Sequence, residues 1–161
     1  MPDARVVVLG VGNELMRDDA VGVEVVRRLA RELADERVEF LEAGTAVIEA
    51  LDLVPPGAHV LVVDAASGGG PPGSVYRFGL DDVAVTRGVS LHETALSEAF
   101  AVARLGGAAF GNVVILGVEP AEVAVGARLS PALQEKLPAV LEAARLEIAR
   151  LLEDMATKGH E

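Results

Sequence analysis

The chain has 161 residues, of which 51% are apolar and none is cysteine. This composition suits one compact domain and excludes disulfides, thiolate metal sites and cysteine nucleophiles. The formal net charge of −11, from 14 basic and 25 acidic residues, opposes binding to a nucleic-acid backbone. No secretory signal pattern occurs at the N-terminus, and no apolar run approaches the ~20 residues that cross a bilayer. We therefore expect a cytoplasmic monomer that binds neither nucleic acid nor membrane.

The first half of the chain alternates between strand and helix patterns. A β-branched run predicts a strand over 6–11, which glycines end, and apolar residues at helical spacing predict a helix over 20–33. A second strand is expected over 38–41, followed by a short helix over 46–54 that two prolines stop. A third strand follows over 59–64.

The second half begins with a segment that cannot form regular structure. Residues 66–73 are mostly glycine, proline and serine, which predicts a surface loop or a mobile flap. Alternation over 74–78 predicts an edge or antiparallel strand. A helix over 93–105, an apolar strand over 113–118 and a long amphipathic helix over 133–155 complete the predicted elements.

Strands of continuous Val, Ile and Leu that alternate with helices are typical of a mostly parallel sheet covered on both faces. The predicted fold is therefore an α/β three-layer α/β/α sandwich, with a twisted sheet of about five strands. Residues 1–155 are expected to form this single domain, and residues 156–161 a disordered tail.

Acidic residues and one histidine follow the predicted strands, where open α/β sheets place their functional crevice. Asp18 and Asp19 precede the first helix, Asp64 closes a buried strand, and His92 precedes a later helix. Each residue also has a simpler role available. The aspartate pair is suited to helix capping, Asp64 to an Asx turn, and His92 to capping or surface exposure. His59, at a strand start, is expected to face solvent.

Several familiar catalytic and binding motifs are absent from the sequence. The third glycine of a dinucleotide fingerprint would fall at Leu15, and the second histidine of a zincin helix at Leu96. No P-loop, nucleophile elbow or aspartic-protease signature occurs. Asp19, Asp64 and His92 remain as an oxygen and nitrogen set that suits zinc, nickel, manganese or iron. The sequence does not give the distances between them.

The run GVGNELMRDDAVG at residues 10–22 resembles the N-terminal signature of the nickel-iron hydrogenase maturation endopeptidases. Further similarity to that family follows in the same order over residues 6–140. It is carried by EAGT at 42–45, VVDA at 62–65, PGSV at 72–75, SLH at 90–92, LGVEP at 116–120 and GARLS at 126–130. Each string is weakly specific, but their common order is a strong joint signal.

The resemblance implies a metal-dependent endopeptidase that removes the C-terminal extension of a hydrogenase large-subunit precursor after nickel insertion. By position, the family's metal-contacting residues fall on Asp19, Asp64 and His92, which become the expected catalytic and metal-binding residues. The nickel is expected to arrive with the substrate, and zinc or cadmium is expected to be able to occupy the site in vitro. Asp18 and Glu14 are expected to be supporting groups.

Two acidic residues depart from the family pattern. Glu42 stands, with Ala43, where the family usually has Asp-Gly, and its longer side chain makes a direct catalytic role less expected. Glu93 directly follows His92, and we expect it to cap the helix or to orient the imidazole.

Two other functions stay open at this point. One is a noncatalytic nickel-binding chaperone that uses the same three residues. The other is a Rossmann-type nucleotide-binding protein in which Glu42 would bind the ribose, although Glu42 lies beyond the usual ~20-residue spacing from the glycine turn.

Overall fold

The computed structural model describes residues 5–80 and 93–158. This part of the chain forms a five-stranded sheet in the order β2-β1-β3-β5-β4. The strands are β1 (Val6–Val11), β2 (Val38–Gly44), β3 (His59–Ala65), β4 (Val75–Gly79) and β5 (Val113–Val118). The helices are α1 (Val21–Glu32), α2 (Val47–Leu51), α3 (Glu93–Leu105) and α4 (Pro131–Lys158), and a 3-10 turn (Arg17–Ala20) precedes α1.

Four of the five strands run parallel, and the fifth closes one edge of the sheet. β1 pairs with β2 and β3, and β3 pairs with β5, all in parallel, whereas β4 is antiparallel to β5. Every residue of β1 and β3 is buried, as expected for central strands with helices on both faces. The predicted α/β sandwich with a mostly parallel sheet is confirmed.

Two hydrophobic cores hold the three layers together. On one face of the sheet, α1 and α4 bury apolar side chains such as Leu29 and Leu137. On the other face, α2 and α3 bury Leu51 and Phe100, and the Phe100 ring meets Phe110 edge to face at 5.1 Å. These cores fix the strand ends on which the candidate site is built.

The observed boundaries differ from the predicted ones mainly at helix ends. α2 covers only Val47–Leu51, shorter than predicted, and β2 continues to Gly44. α4 continues to Lys158, past residue 156 where the tail was expected to begin, and residues 159–161 lie outside the described residues. Across 5–80 and 93–158, no helix has the length and apolarity needed to span a membrane.

The prediction that His59 faces solvent is wrong. Its residue is only 4% exposed, and its Nδ1 accepts a hydrogen bond from the backbone N–H of Asn112 at 2.7 Å. The imidazole therefore joins the start of β3 to the turn before β5, and it has a structural role at the edge of the sheet opposite the candidate site.

Candidate metal site

Two glycines allow the turn that carries the aspartate pair to lie directly on the sheet. At Gly12, which has a φ of +138°, a Cβ would stand 1.9 Å from the carbonyl oxygen of Asp19. At Gly22, a Cβ would stand 2.0 Å from the carbonyl oxygen of Val63. Only glycine permits these approaches. Because Asp19 is near Gly22 in the chain and Asp64 follows Val63, both predicted carboxylates lie at the same edge of the sheet.

Asp64 is a carboxylate within a buried strand. It is 0% exposed and lies opposite Gly117 in the β3–β5 pairing. Its Oδ1 accepts a hydrogen bond from the N–H of the next residue, Ala65, at 2.8 Å. An Asx turn would use the N–H two residues on, so this bond does not support that simpler role. A buried carboxylate must be paired, hydrogen-bonded or coordinated to be stable.

Asp19 is half-buried and borders a pocket of about 390 Å³, which we call the Asp19 pocket. Its Oδ2 accepts the backbone N–H of Asn13 at 2.8 Å, which fixes the loop after β1 to the 3-10 turn. The N-cap of α1 is Ala20, and no side-chain hydrogen bond caps it. Helix capping therefore does not account for Asp19.

Asp18 has a different environment from its neighbour. It is 0% exposed, and its two carboxylate oxygens accept four hydrogen bonds. Oδ2 accepts the N–H groups of Ala121 and Glu122 and the hydroxyl of Ser130 at 2.7–2.9 Å, and Oδ1 accepts the Ser130 N–H at 2.7 Å. These bonds tie the 3-10 turn to the loop between β5 and α4. Asp18 is thus the anchor that supports the turn on which Asp19 stands.

The glycine-rich loop (residues 66–74) is held in place by a buried carboxylate at the end of β5. Oε1 of Glu119 accepts the N–H groups of Gly68 and Gly70 at 2.7 and 3.1 Å, and the hydroxyl of Tyr76 at 2.7 Å. Burial acts to raise the pKa of Glu119, but these hydrogen bonds outweigh it and lower the pKa below its usual value. A surface loop is therefore observed here, and Glu119 holds it through two backbone N–H groups.

Glu14 and Glu42 form a surface cluster with one arginine. The guanidinium of Arg27 donates to Glu14 at 2.5 Å and to Glu42 at 2.6 and 3.0 Å. These hydrogen bonds to Glu42 and Glu14 raise the pKa of Arg27. Glu42 is therefore engaged by a cation, which disfavours both a direct catalytic role and the ribose contact of the nucleotide-binding alternative.

Two of the three predicted ligands, Asp19 and Asp64, lie in the described part of the chain at the same edge of the sheet. His92 lies outside the described residues, directly before α3, and the side chain of Glu93 is likewise outside the description. Among residues 5–80 and 93–158, no group of three His, Cys, Asp or Glu side chains is arranged to hold a metal ion. The oxygen donors of Asp19 and Asp64 fit a divalent ion chemically, and the third ligand stays a prediction.

Two supporting residues were not identified from the sequence. Ser130 precedes the proline that begins α4, a typical N-cap position, and its Oγ accepts the N–H of Leu133 at 3.3 Å. Its contact with Asp18 is remote in sequence and has no local signal. Glu119 lies at a strand end, as Asp64 does, and this shared position is the signal by which it can be found.

These observations define the class of the protein. It is a mostly parallel α/β sandwich in which the glycine turn after β1 leads to an acidic pair, where a phosphate-binding turn would present backbone N–H groups to an anion. A third aspartate, the buried Asp64, stands near the end of the neighbouring strand β3.

Comparison with known sequences identifies the family. The family model described as hydrogenase maturation protease (HycI) matches residues 23–147. The chain belongs to the hydrogenase maturation protease family, as the sequence resemblance indicated.

Individual relatives agree with this assignment. The chain is 33% identical over 147 residues to the hydrogenase expression/formation protein HupD of Thiocapsa roseopersicina. This alignment covers 88% of the chain and 66% of that relative. It is 31% identical over 150 residues to the hydrogenase 2 maturation protease of Escherichia coli, and this alignment covers 86% of the chain and 92% of that relative. The solved structure of the hydrogenase maturating endopeptidase HybD from E. coli superposes with a TM-score of 0.76 at 29% identity, covering 93% of both chains.

Proposed function

We propose that this protein is an endopeptidase that removes the C-terminal extension of a nickel-iron hydrogenase large-subunit precursor after nickel has been inserted. Membership of the maturation protease family supports the endopeptidase activity. The observation on which the proposed mechanism rests is the placement of Asp19 and Asp64 at one sheet edge, where the neighbouring turn is held by an anchor of four hydrogen bonds.

In this proposal, Asp19, Asp64 and His92 hold the nickel that the precursor carries. Held by these residues, nickel would supply Lewis acidity, which would polarise the scissile carbonyl or activate a water for attack. Two carboxylates and a neutral imidazole together carry two negative charges, so a divalent ion bound by them has a net charge of zero at the site. No covalent intermediate with the enzyme is required.

The remaining residues of the site position these ligands. Asp18 fixes the turn that carries Asp19. Glu119 fixes the glycine-rich loop, which follows Asp64 almost directly in the chain. Ligands held by rigid neighbours lose little conformational entropy when a substrate binds, which is the expected benefit of these anchors.

The experiment that tests the proposal follows the mass of a purified, nickel-loaded precursor after incubation with the enzyme. The variants are Asp19→Asn, Asp64→Asn and His92→Ala, with Glu36→Gln as a control that removes an exposed carboxylate before β2. Circular dichroism checks that each variant is folded. We expect the wild type and Glu36→Gln to shorten the precursor at its C-terminus, and each ligand variant to leave its mass unchanged.

The outcomes separate the protease from its alternatives. Full processing by all three folded ligand variants would remove the metal-site mechanism. An unchanged precursor mass with the wild type, together with nickel bound to the enzyme, would identify a noncatalytic nickel carrier. A rise in melting temperature on addition of NAD or ATP would instead support nucleotide binding.

A further inference from the structure

We propose that the Asp19 pocket is a specificity subsite, which takes an uncharged apolar side chain of the precursor next to the scissile bond. This inference rests on the proposed function, because it assigns the pocket to the same peptide substrate. The first supporting observation is position. Asp19, a proposed metal ligand, is itself part of the pocket wall, so a side chain in the pocket lies beside the reacting peptide group.

The second observation is the chemistry of the walls. The side chains that form them are largely apolar and come from three separate parts of the chain: Val11 and Met16, Val47, and Val123. Among the described residues that line the pocket, none has a basic side chain, and the one charged group is the carboxylate of Asp19. An acidic substrate side chain would find no basic partner among these described residues, whereas an apolar one would be removed from water.

The third observation is that the pocket is part of the built framework of the site. Val11 ends β1, and the β1–β2 register shifts there, so that Val11 faces Gly44. The N–H of Gly12 donates to the carbonyl oxygen of Gly44 at 2.9 Å, which joins two of the residues that line the pocket. The volume of about 390 Å³ lies in the range of about 300–1,000 Å³ that ligand pockets occupy.

Val123 offers the sharpest test, because it lines the pocket and is also 53% exposed on a loop, so its replacement need not disturb the core. Val123→Lys places a cation at the wall. Val125→Lys is the matched control, since Val125 is 83% exposed on the same loop and does not line the pocket. Both variants change the net charge equally.

The assay uses nickel-loaded precursors that carry Leu, Asp or Lys at each of the two positions flanking the scissile bond. Pairs of precursors compete in one reaction, and intact mass spectrometry gives the ratio of their kcat/KM values. We expect the wild type and Val125→Lys to prefer Leu over Asp at one of the two positions. Val123→Lys is expected to lower that preference by about 10-fold or more, in line with the discrimination of apolar pockets.

The results distinguish failure of this inference from failure of the proposed function. If the wild type cleaves the precursors but Val123→Lys keeps the preference of Val125→Lys, the subsite assignment is overturned and the protease proposal stands. If the wild type cleaves none of the precursors, the proposed function fails and the subsite fails with it. A loss of preference that is confined to Val123→Lys supports the assignment.

Discussion

The two adjacent aspartates should respond to the same substitution in opposite ways. Asp18→Asn keeps the size of the side chain but replaces one acceptor oxygen by an NH₂ donor. In the native protein, Oδ2 accepts from Ala121, Glu122 and the Ser130 hydroxyl, and Oδ1 accepts from the Ser130 N–H. In either orientation of the amide, the new NH₂ group faces at least one N–H donor. Asp18→Asn therefore leaves at least one buried N–H without an acceptor, and the remaining hydrogen bonds are made to a neutral amide oxygen.

The expected loss of stability in Asp18→Asn follows from these four hydrogen bonds. A hydrogen bond to a charged group contributes about 1.5–3 kcal/mol, and a buried donor left unsatisfied costs about 1–3 kcal/mol. With one donor orphaned and the others bonded to a neutral amide, we expect Asp18→Asn to lower the free energy of unfolding by about 3–5 kcal/mol. At about 2–4 °C per kcal/mol for a chain of this size, the melting temperature should fall by about 6–20 °C.

Asp19→Asn is the natural comparison for this variant. Asp19 is half-buried, and an asparagine at this position still accepts the N–H of Asn13 through its amide oxygen. We expect a change in unfolding free energy of about 1 kcal/mol or less, together with loss of precursor processing. Urea unfolding followed by circular dichroism measures the stability of both variants. A wild-type midpoint for Asp18→Asn, or equal destabilisation by both substitutions, would refute the anchor interpretation.

Three further predictions concern the framework around the site. Gly22→Ala places a Cβ 2.0 Å from the Val63 carbonyl oxygen, so we expect a misfolded or strongly destabilised protein; a wild-type melting temperature would contradict the close packing of α1 on the sheet. The lowered pKa of Glu119 means that its anchor stabilises the fold above its ordinary pKa and is lost as the pH falls through the lowered value. Glu119→Gln should therefore lose less stability than the wild type between about pH 5 and 3, measured by urea midpoints; equal losses would argue against the anchor. Glu42→Ala removes an exposed ion pair with Arg27, so we expect a cost of about 1 kcal/mol or less and unchanged processing, whereas abolished processing would return Glu42 to the catalytic site.

The sequence predicted the three layers and the mostly parallel sheet because both follow from local patterns. Continuous apolar runs marked the central strands, and alternation over 74–78 marked the antiparallel edge strand that is observed as β4. The burial of His59 was missed for a physical reason. The N–H that binds its ring belongs to Asn112, which is far away in sequence, so no local pattern signals the contact.

The candidate site was predictable in its residue types and only partly in its roles. Strand-end position marked Asp64, and the glycine turn marked the aspartate pair. The different roles of Asp18 and Asp19 depend on loop 121–130, whose hydrogen bonds to Asp18 are tertiary contacts. The anchoring of the glycine-rich loop by Glu119 depends on the same kind of distant contact, so composition alone left a surface loop and a mobile flap as alternatives.

Anomalous diffraction at the zinc edge, from crystals soaked in zinc, tests most directly whether the three proposed ligands share one ion. The account predicts a single strong peak at about 2.0–2.2 Å from an oxygen of Asp19 and of Asp64, and about 2.0–2.1 Å from a ring nitrogen of His92. A structure in which these three side chains point to separate surfaces, with zinc bound elsewhere, would contradict it.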